Sequence, residues 1–296
     1  MNPIMKQVPA PIRNLYITLS KLIFEEIIFP LMDLFDWMMG KDYCLTPPRK
    51  LVAISGNLGR FGDMRGFREH GKSAMQFIIN MVGLERNERV LEVGCGVGNK
   101  TIPLAEYMSR EGIYEGFDIV PDQIEWCRKH ITPRFPNFHF IHPNIYSEVY
   151  NPSGNKESSE FIFPYEKETF DFVFLISVFT HMLPLDMEHY LSEISRVLKV
   201  GGRCLISYFL LNPESIPMAR KGINGPEFKY EMSGYWTSNL KNPEYAVAYP
   251  EDNVRKLYDR FGLLIKDPLI YGSWCGRKEA IFYQDVIVGW KIEKSQ

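Results

Sequence analysis

The densest chemistry in the chain lies in Val90-Leu91-Glu92-Val93-Gly94-Cys95-Gly96-Val97-Gly98-Asn99. An apolar run leads in and a helical pattern follows, so the glycines fall on a strand-to-helix turn. Glycine there lets the backbone approach a ligand closely, and the first N–H groups of the helix point into the crevice. A pyrophosphate could use such a turn. However, the dinucleotide fingerprint G-x-G-x-x-G, started at Gly94, needs a glycine where Asn99 stands. The spacing here is acidic-x-G-x-G-x-G. A carboxylate two residues before the first glycine suits a ligand with a cationic amino-acid part better than a pyrophosphate. A second carboxylate, Asp118, ends the next apolar run, 26 residues after Glu92. A carboxylate at a strand end can accept hydrogen bonds from both hydroxyls of a ribose. Taken alone it would serve equally as a helix cap, since Pro121 and Asp122 follow; joined to the glycine motif, it favours the ribose.

These groups need a scaffold that brings strand ends together. Strands are predicted at Arg89–Val93, Tyr114–Asp118, Phe138–His142, Phe170–Ser177, Arg203–Phe209, Leu263–Ile270 and Ala280–Val288. Between them fall helical patterns at Thr101–Arg110, Pro121–His130, Met187–Leu198 and Asp252–Phe261, the last stopped by Gly262. Such alternation predicts an α/β fold with a parallel sheet and crossover helices on both faces. Residues 1–86 read as a helical N-terminal extension or lid, and residues 87–296 as the α/β domain. In the extension, Leu31, Leu34, Phe35 and Met38 recur at helical spacing and are expected to pack on the protein's own core. A lid over an apolar substrate, a dimer surface and a shallow membrane contact are the other readings of that face. Gly56–Asp63 reads as a loop, and Glu69–Met81 as a helix. An insertion at 211–248 carries Phe228, Tyr230, Tyr235 and Trp236 and is too long for a plain connector.

With the motifs in this order, the chain resembles the class I S-adenosylmethionine-dependent methyltransferases. The glycine motif, Gly116-Phe117-Asp118-Ile119, Phe170-Asp171-Phe172-Val173-Phe174 and Arg196-Val197-Leu198-Lys199-Val200-Gly201-Gly202-Arg203 match that family's successive motifs over about residues 87–210. The resemblance implies a Rossmann-like, seven-stranded, mostly parallel sheet whose last strand is antiparallel, with S-adenosylmethionine lying across the strand ends. It also implies roles. Gly94, Cys95 and Gly96 face the methionine part and Glu92 orients that region. Asp118 takes the ribose and Ile119 packs on the adenine. Asn144, followed by Ile145, stands where the family often has an acid that accepts from the adenine amino group, and its side-chain carbonyl can do the same. The loop Ser177-Val178-Phe179-Thr180-His181-Met182 passes beside the methionine part and faces the acceptor. His181 is then a general-base candidate, or else a backbone-bonded pocket wall.

The tail Gly272-Ser273-Trp274-Cys275-Gly276-Arg277 resembles a group of bacterial methyltransferases of unassigned acceptor. It would either rim the acceptor pocket or form a packed hairpin loop. His139 is expected to point inward from its strand, and the histidines lack metal-ligand spacing, so no metal is predicted.

A net charge of −2 with scattered basic pairs gives no pull toward nucleic acid. Five widely spaced cysteines without a Cys-x-x-Cys predict a reducing, cytoplasmic setting. No run approaches the ~20 apolar residues of a membrane span, and Met1–Pro11 lacks a leader pattern, so neither insertion nor secretion is expected. The expected function is methyl transfer to a small-molecule, glycan or lipid acceptor, at oxygen. A protein or nucleic-acid methyltransferase and a non-catalytic S-adenosylmethionine-binding module are the competing readings. Oligomeric state is not legible.

Overall fold

The computed structural model describes residues 18–19, 22–39, 45–54 and 63–293. A short π-helical segment, Phe24–Ile28, runs into α1 (Phe29–Met38), followed by α2 (Arg49–Ile54) and α3 (Arg65–Val82). The α/β succession is β1 (Arg89–Val93), α4 (Thr101–Tyr107), β2 (Ile113–Phe117), α5 (Pro121–His130), β3 (Phe138–Ile141), β4 (Phe170–Leu175), α6 (Pro184–Val197) and β5 (Leu198–Tyr208). The insertion supplies β6 (Leu210–Leu211), α7 (Ser215–Ala219), β7 (Tyr230–Glu231), β8 (Trp236–Thr237) and β9 (Val247–Pro250). The chain then closes with α8 (Glu251–Phe261), β10 (Leu263–Ile265) and β11 (Asp285–Lys291).

The main sheet has seven strands in the order β10-β11-β5-β4-β1-β2-β3. Strands β1 to β5 pair in parallel, and β11 lies antiparallel between β5 and β10. This is the expected Rossmann-like sheet. Strand order reverses between β1 and β4, which opens a crevice at their carboxyl ends. Burial on both faces explains the near-continuous apolar strands. In β4, Phe170, Val173 and Leu175 enter one core with Leu191 and Ile194 of α6. Phe172 and Phe174 enter the other with Met75 and Ile78 of α3. The last helix of the N-terminal extension is thus built into the sheet's own core. Arg203 fastens it there, donating to the carbonyls of Val82 and Gly83 and pairing with Glu88 at 2.6 Å.

Several boundaries differ from the sequence reading. Helix α6 begins at Pro184 rather than Met187, since proline suits the first helical turn. The sixth strand stops at Ile265, leaving an isolated bridge at Ile270. His139 is exposed and meets Glu115, not inward as expected, because Phe138 and Phe140 take the buried side of the alternation. The predicted loop at 56–63 lies outside the described residues, apart from Asp63.

The largest departure concerns α1. Leu31, Leu34, Phe35 and Met38 are 50–71% exposed instead of core-packed. The helix rests on the body through its charged side, where Asp33 and Asp36 both bond Arg49. Only Phe29 and Asp36 are buried. Helical periodicity located the apolar face, but not which face docks. Among the described residues, no helix is long and apolar enough to cross a membrane.

Candidate functional site

Beyond β1 the chain turns through Gly94, Gly96 and Gly98, all at positive φ, before α4. Space as well as dihedral demands glycine at 94, where a Cβ would meet Val178 Cγ2 at 2.4 Å. The loops after β1 and β4 therefore face each other at closest approach across the strand-order reversal. Helix α3 closes on the same turn from the other side. A Cβ on Gly71 would lie 2.1 Å from the Asn99 carbonyl oxygen, and the Asn99 side chain donates to the Phe67 carbonyl.

Asp118 stitches the turn to the next helix. One carboxylate oxygen accepts from Gly96 N–H at 2.8 Å, and the other from Val120 N–H at 2.9 Å, at the start of α5. Burial pushes its carboxyl above the ordinary range, opposed by those backbone donors. Asp118 thus bonds the backbone just ahead of α5 and also lines the cavity described below.

Glu92 sits beneath the turn. It is 2% exposed and accepts from Thr101 Oγ1 at 2.9 Å and Tyr114 Oη at 2.6 Å. Burial pushes it up to about 7, against the pull of Lys100 and those two hydroxyls. Lys100 is itself pushed down by burial.

After β4, Ser177 takes the left-handed conformation at φ 61°, which costs a non-glycine residue on the order of 1–2 kcal/mol. A polar cluster holds it there. Ser177 N–H donates to Ser207 Oγ at 2.8 Å, and both serine hydroxyls donate to Gln284 Oε1, at 3.0 and 2.7 Å. A single turn of 3₁₀ helix follows and carries His181. Its Nδ1–H donates to the Glu244 carbonyl at 3.0 Å, which leaves Nε2 with its lone pair. The Tyr150 ring meets the imidazole edge-on at 5.7 Å. Burial lowers the His181 pKa, only partly offset by the backbone acceptors of Glu244 and Tyr245.

One cavity of about 570 Å³ joins these parts. Gly94, Cys95, Gly96, Asp118, Ile119, Ser177 and His181 all line it. Glu92 does not, and supports the turn from behind. Asn144 is exposed and Ile145 buried in the core, and neither lines the cavity. The wall is reached one residue later, by Tyr146, Ser147 and Tyr150. Ala53 and Ile54 of α2, His70 and Ala74 of α3, Lys100, Gln123, Asp186, Tyr190 and Glu244 complete it, and none of these was singled out from sequence. Lys100 carried a signal, a cation directly after the glycine turn. The others come from elements whose placement depends on tertiary packing.

Trp274 and Arg277 lie outside the cavity lining. Trp274 is 1% exposed and donates to Asp285 at 2.6 Å, and Arg277 pairs with Asp285 at 3.1 Å and Glu214 at 3.1 Å. The tail is a packed loop rather than a rim. Its neighbour Gln284 is what reaches the site, through Ser177.

Comparison with known proteins agrees with this architecture. Residues 84–232, half of the chain, match the family described as a methyltransferase domain. The tRNA N(3)-cytidine methyltransferase METTL2 of Gallus gallus is 29% identical over 132 residues, 42% of this chain and 31% of that protein. The aklanonic acid methyltransferase DauC of Streptomyces sp. strain C5 is 47% identical over 47 residues, 16% of this chain and 21% of that one. The chain thus spans about a third or less of the length of these curated relatives. The crystal structure of the PH0226 protein from Pyrococcus horikoshii OT3 shares the fold, with a TM-score of 0.52 at 17% identity over 77% of this chain and 92% of that one.

Proposed function

We propose a specific reaction for this chain, which belongs to the S-adenosylmethionine-dependent methyltransferase family: methyl transfer to a hydroxyl of a small acceptor, a glycan or lipid included, with His181 taking the proton. The observation that carries it is the single cavity shared by the glycine turn, Asp118 and His181. The lining suits the methyl donor. Gly94 and Gly96 bring bare backbone to the cavity, Asp118 offers a carboxylate to ribose hydroxyls, and Lys100 offers an ammonium to a carboxylate. Ile119 gives an apolar wall for a base.

When bound, S-adenosylmethionine supplies a methyl group already activated on a sulfonium. What the chain must add is alignment, with nucleophile and methyl about 3 Å apart. A hydroxyl nucleophile also needs to lose its proton. His181 is prepared for that, because its Nδ1–H is committed to a carbonyl and its lowered pKa keeps Nε2 unprotonated near neutrality. With the methyl group supplied that way, His181 Nε2 would take the proton that the acceptor hydroxyl loses as its oxygen is methylated. The acceptor side is enclosed by Tyr146, Tyr150 and Tyr190, with Glu244 contributed by the insertion. Aromatic walls with few polar groups suit a compact organic acceptor.

A nucleobase acceptor is the second reading, favoured by the match to the tRNA cytidine enzymes over 42% of the chain. Calorimetry with S-adenosylhomocysteine, followed by scoring its formation from S-adenosylmethionine in a small-metabolite extract and in a tRNA pool, decides between them. The proposal expects binding, and turnover with the metabolites. Turnover with tRNA alone refutes the small-acceptor reading, and absence of binding refutes the family role of the site.

A further inference from the structure

The acceptor half of the cavity has an unbalanced charge. Lys100 and His70, the basic side chains of the lining besides His181, sit on the glycine-turn and α3 side. On the other side stand two carboxylates, Asp186 and Glu244. Asp186 has a structural occupation, since it lies in the first turn of α6 and accepts from the backbone of Ser159 and Leu183. Glu244 has none. Its backbone carbonyl holds His181, but its carboxylate has no ion pair and no hydrogen-bond donor among the described residues. The charges that bear on it are all negative: Asp186, Glu148 and Glu157. Half-burial raises its carboxyl first, and those neighbouring charges add to it.

Like charges gathered at a half-buried wall without a counter-ion cost stability, and a protein normally pairs or disperses them. The imbalance is confined to the part of the cavity where the acceptor must sit. Two further features fit one kind of ligand. Tyr146 and Tyr150 line the same cavity, and aromatic rings attract cations. Burial favours the neutral form of His181, against the pull of the Glu244 and Tyr245 backbone acceptors, so it adds little opposing charge.

We infer that the acceptor carries a cationic group, such as an ammonium, and that the Glu244 carboxylate is its counter-ion while His181 serves the hydroxyl. Glu244 is therefore a specificity-determining residue. The inference rests on the proposed reaction and adds the charge class of its substrate. Charge also bears on the nucleobase alternative, because a polyanionic backbone would have to approach the Asp186 and Glu244 carboxylates on this wall.

The test uses two measurements on the full chain. Thermal melting without ligand compares wild type with Glu244→Gln, and relief of repulsion is expected to raise the midpoint of the variant at low salt. Calorimetry on protein saturated with S-adenosylhomocysteine then compares tyramine with tyrosol, which differ only by ammonium against hydroxyl. Tyramine is expected to bind about tenfold more tightly, and Glu244→Gln to abolish the preference without changing S-adenosylhomocysteine affinity. Equal affinities, no heat from either compound at millimolar concentrations, a preference that survives in the variant, or a lowered midpoint each overturns the inference while the methyltransferase reading stands. Failure to bind S-adenosylhomocysteine removes both.

Discussion

Glu92 offers the sharpest test of how the site is built. Its carboxyl ionises near 4.5 in the open chain and is pushed up to about 7 in the fold, mainly by burial. A carboxyl with a raised folded pKa holds its proton more tightly when folded. Its contribution to stability is therefore complete below about 4.5 and is lost as pH climbs toward 7. At 1.36 kcal/mol per unit, the whole span is worth about 3 kcal/mol, most of which falls between pH 5 and pH 8. Glu92→Gln keeps the shape and retains an oxygen for Tyr114 Oη, but cannot ionise. Urea unfolding at the two pH values is expected to show wild type losing about 2–3 kcal/mol more than the variant. Asp118 and Asp285 are also raised by burial. Both remain in each protein, so the difference reports Glu92 together with the groups coupled to it, Lys100 first. Parallel pH profiles for the two proteins would refute the claim that an ionising carboxyl is buried under the glycine turn.

Three other outcomes follow from the same geometry. His181→Gln is expected to lower kcat by about 10²- to 10⁴-fold with S-adenosylhomocysteine affinity intact, and the wild-type rate should rise through a pKa below 6.5 and then plateau, because burial depresses that group; an unchanged rate in rapid-quench turnover removes the base. Gly71→Ala forces a Cβ to within 2.1 Å of the Asn99 carbonyl oxygen, so α3 must retreat from the glycine turn; calorimetry should show cofactor affinity falling by at least about tenfold, and full affinity would show that the contact yields freely. Arg277→Ala strips the fully buried Asp285 of its cation and should cost about 3 kcal/mol in denaturant unfolding while leaving cofactor affinity untouched; a loss of affinity in the still-folded variant would return the tail to the ligand pocket.

Legibility from sequence followed the range of the interactions involved. The parallel strands were readable because burial on both faces writes continuous apolar runs such as Phe170–Leu175. The glycine turn was readable because positive φ at 94, 96 and 98 admits little else. Asp118 was readable from its place at a strand end, as was the His181 loop after β4. The far wall was not. Tyr146, Tyr150 and Glu244 reach the cavity through the chain's path after β3 and through an insertion with its own four-stranded sheet, β6-β9-β8-β7. No local pattern encodes that path. The α1 face failed for a related reason. Periodicity shows that a helix has an apolar side, while the Arg49 pair with Asp33 and Asp36 decides which side meets the body.

The loop after β4 joins these two halves. Ser177 occupies a backbone conformation it would not choose, and two partners hold it, the Ser207 hydroxyl from β5 and Gln284 from the approach to β11, with Gln284 Nε2 also donating to Thr180 of the same loop at 3.5 Å. The same turn sets Val178 against Gly94 and delivers His181 three residues past Val178. The spacing between the glycine turn and the histidine is therefore fixed by the sheet's antiparallel strand rather than by either loop alone. This gives a physical role to the Tyr283-Gln284-Asp285 segment, which never touches the cavity. Gln284 props the His181 loop, and its neighbour Asp285 locks the Trp274 and Arg277 loop beside it. Methyl transfer by alignment depends on such a joint, because an error of ~1 Å between nucleophile and methyl can cost about 100-fold in rate.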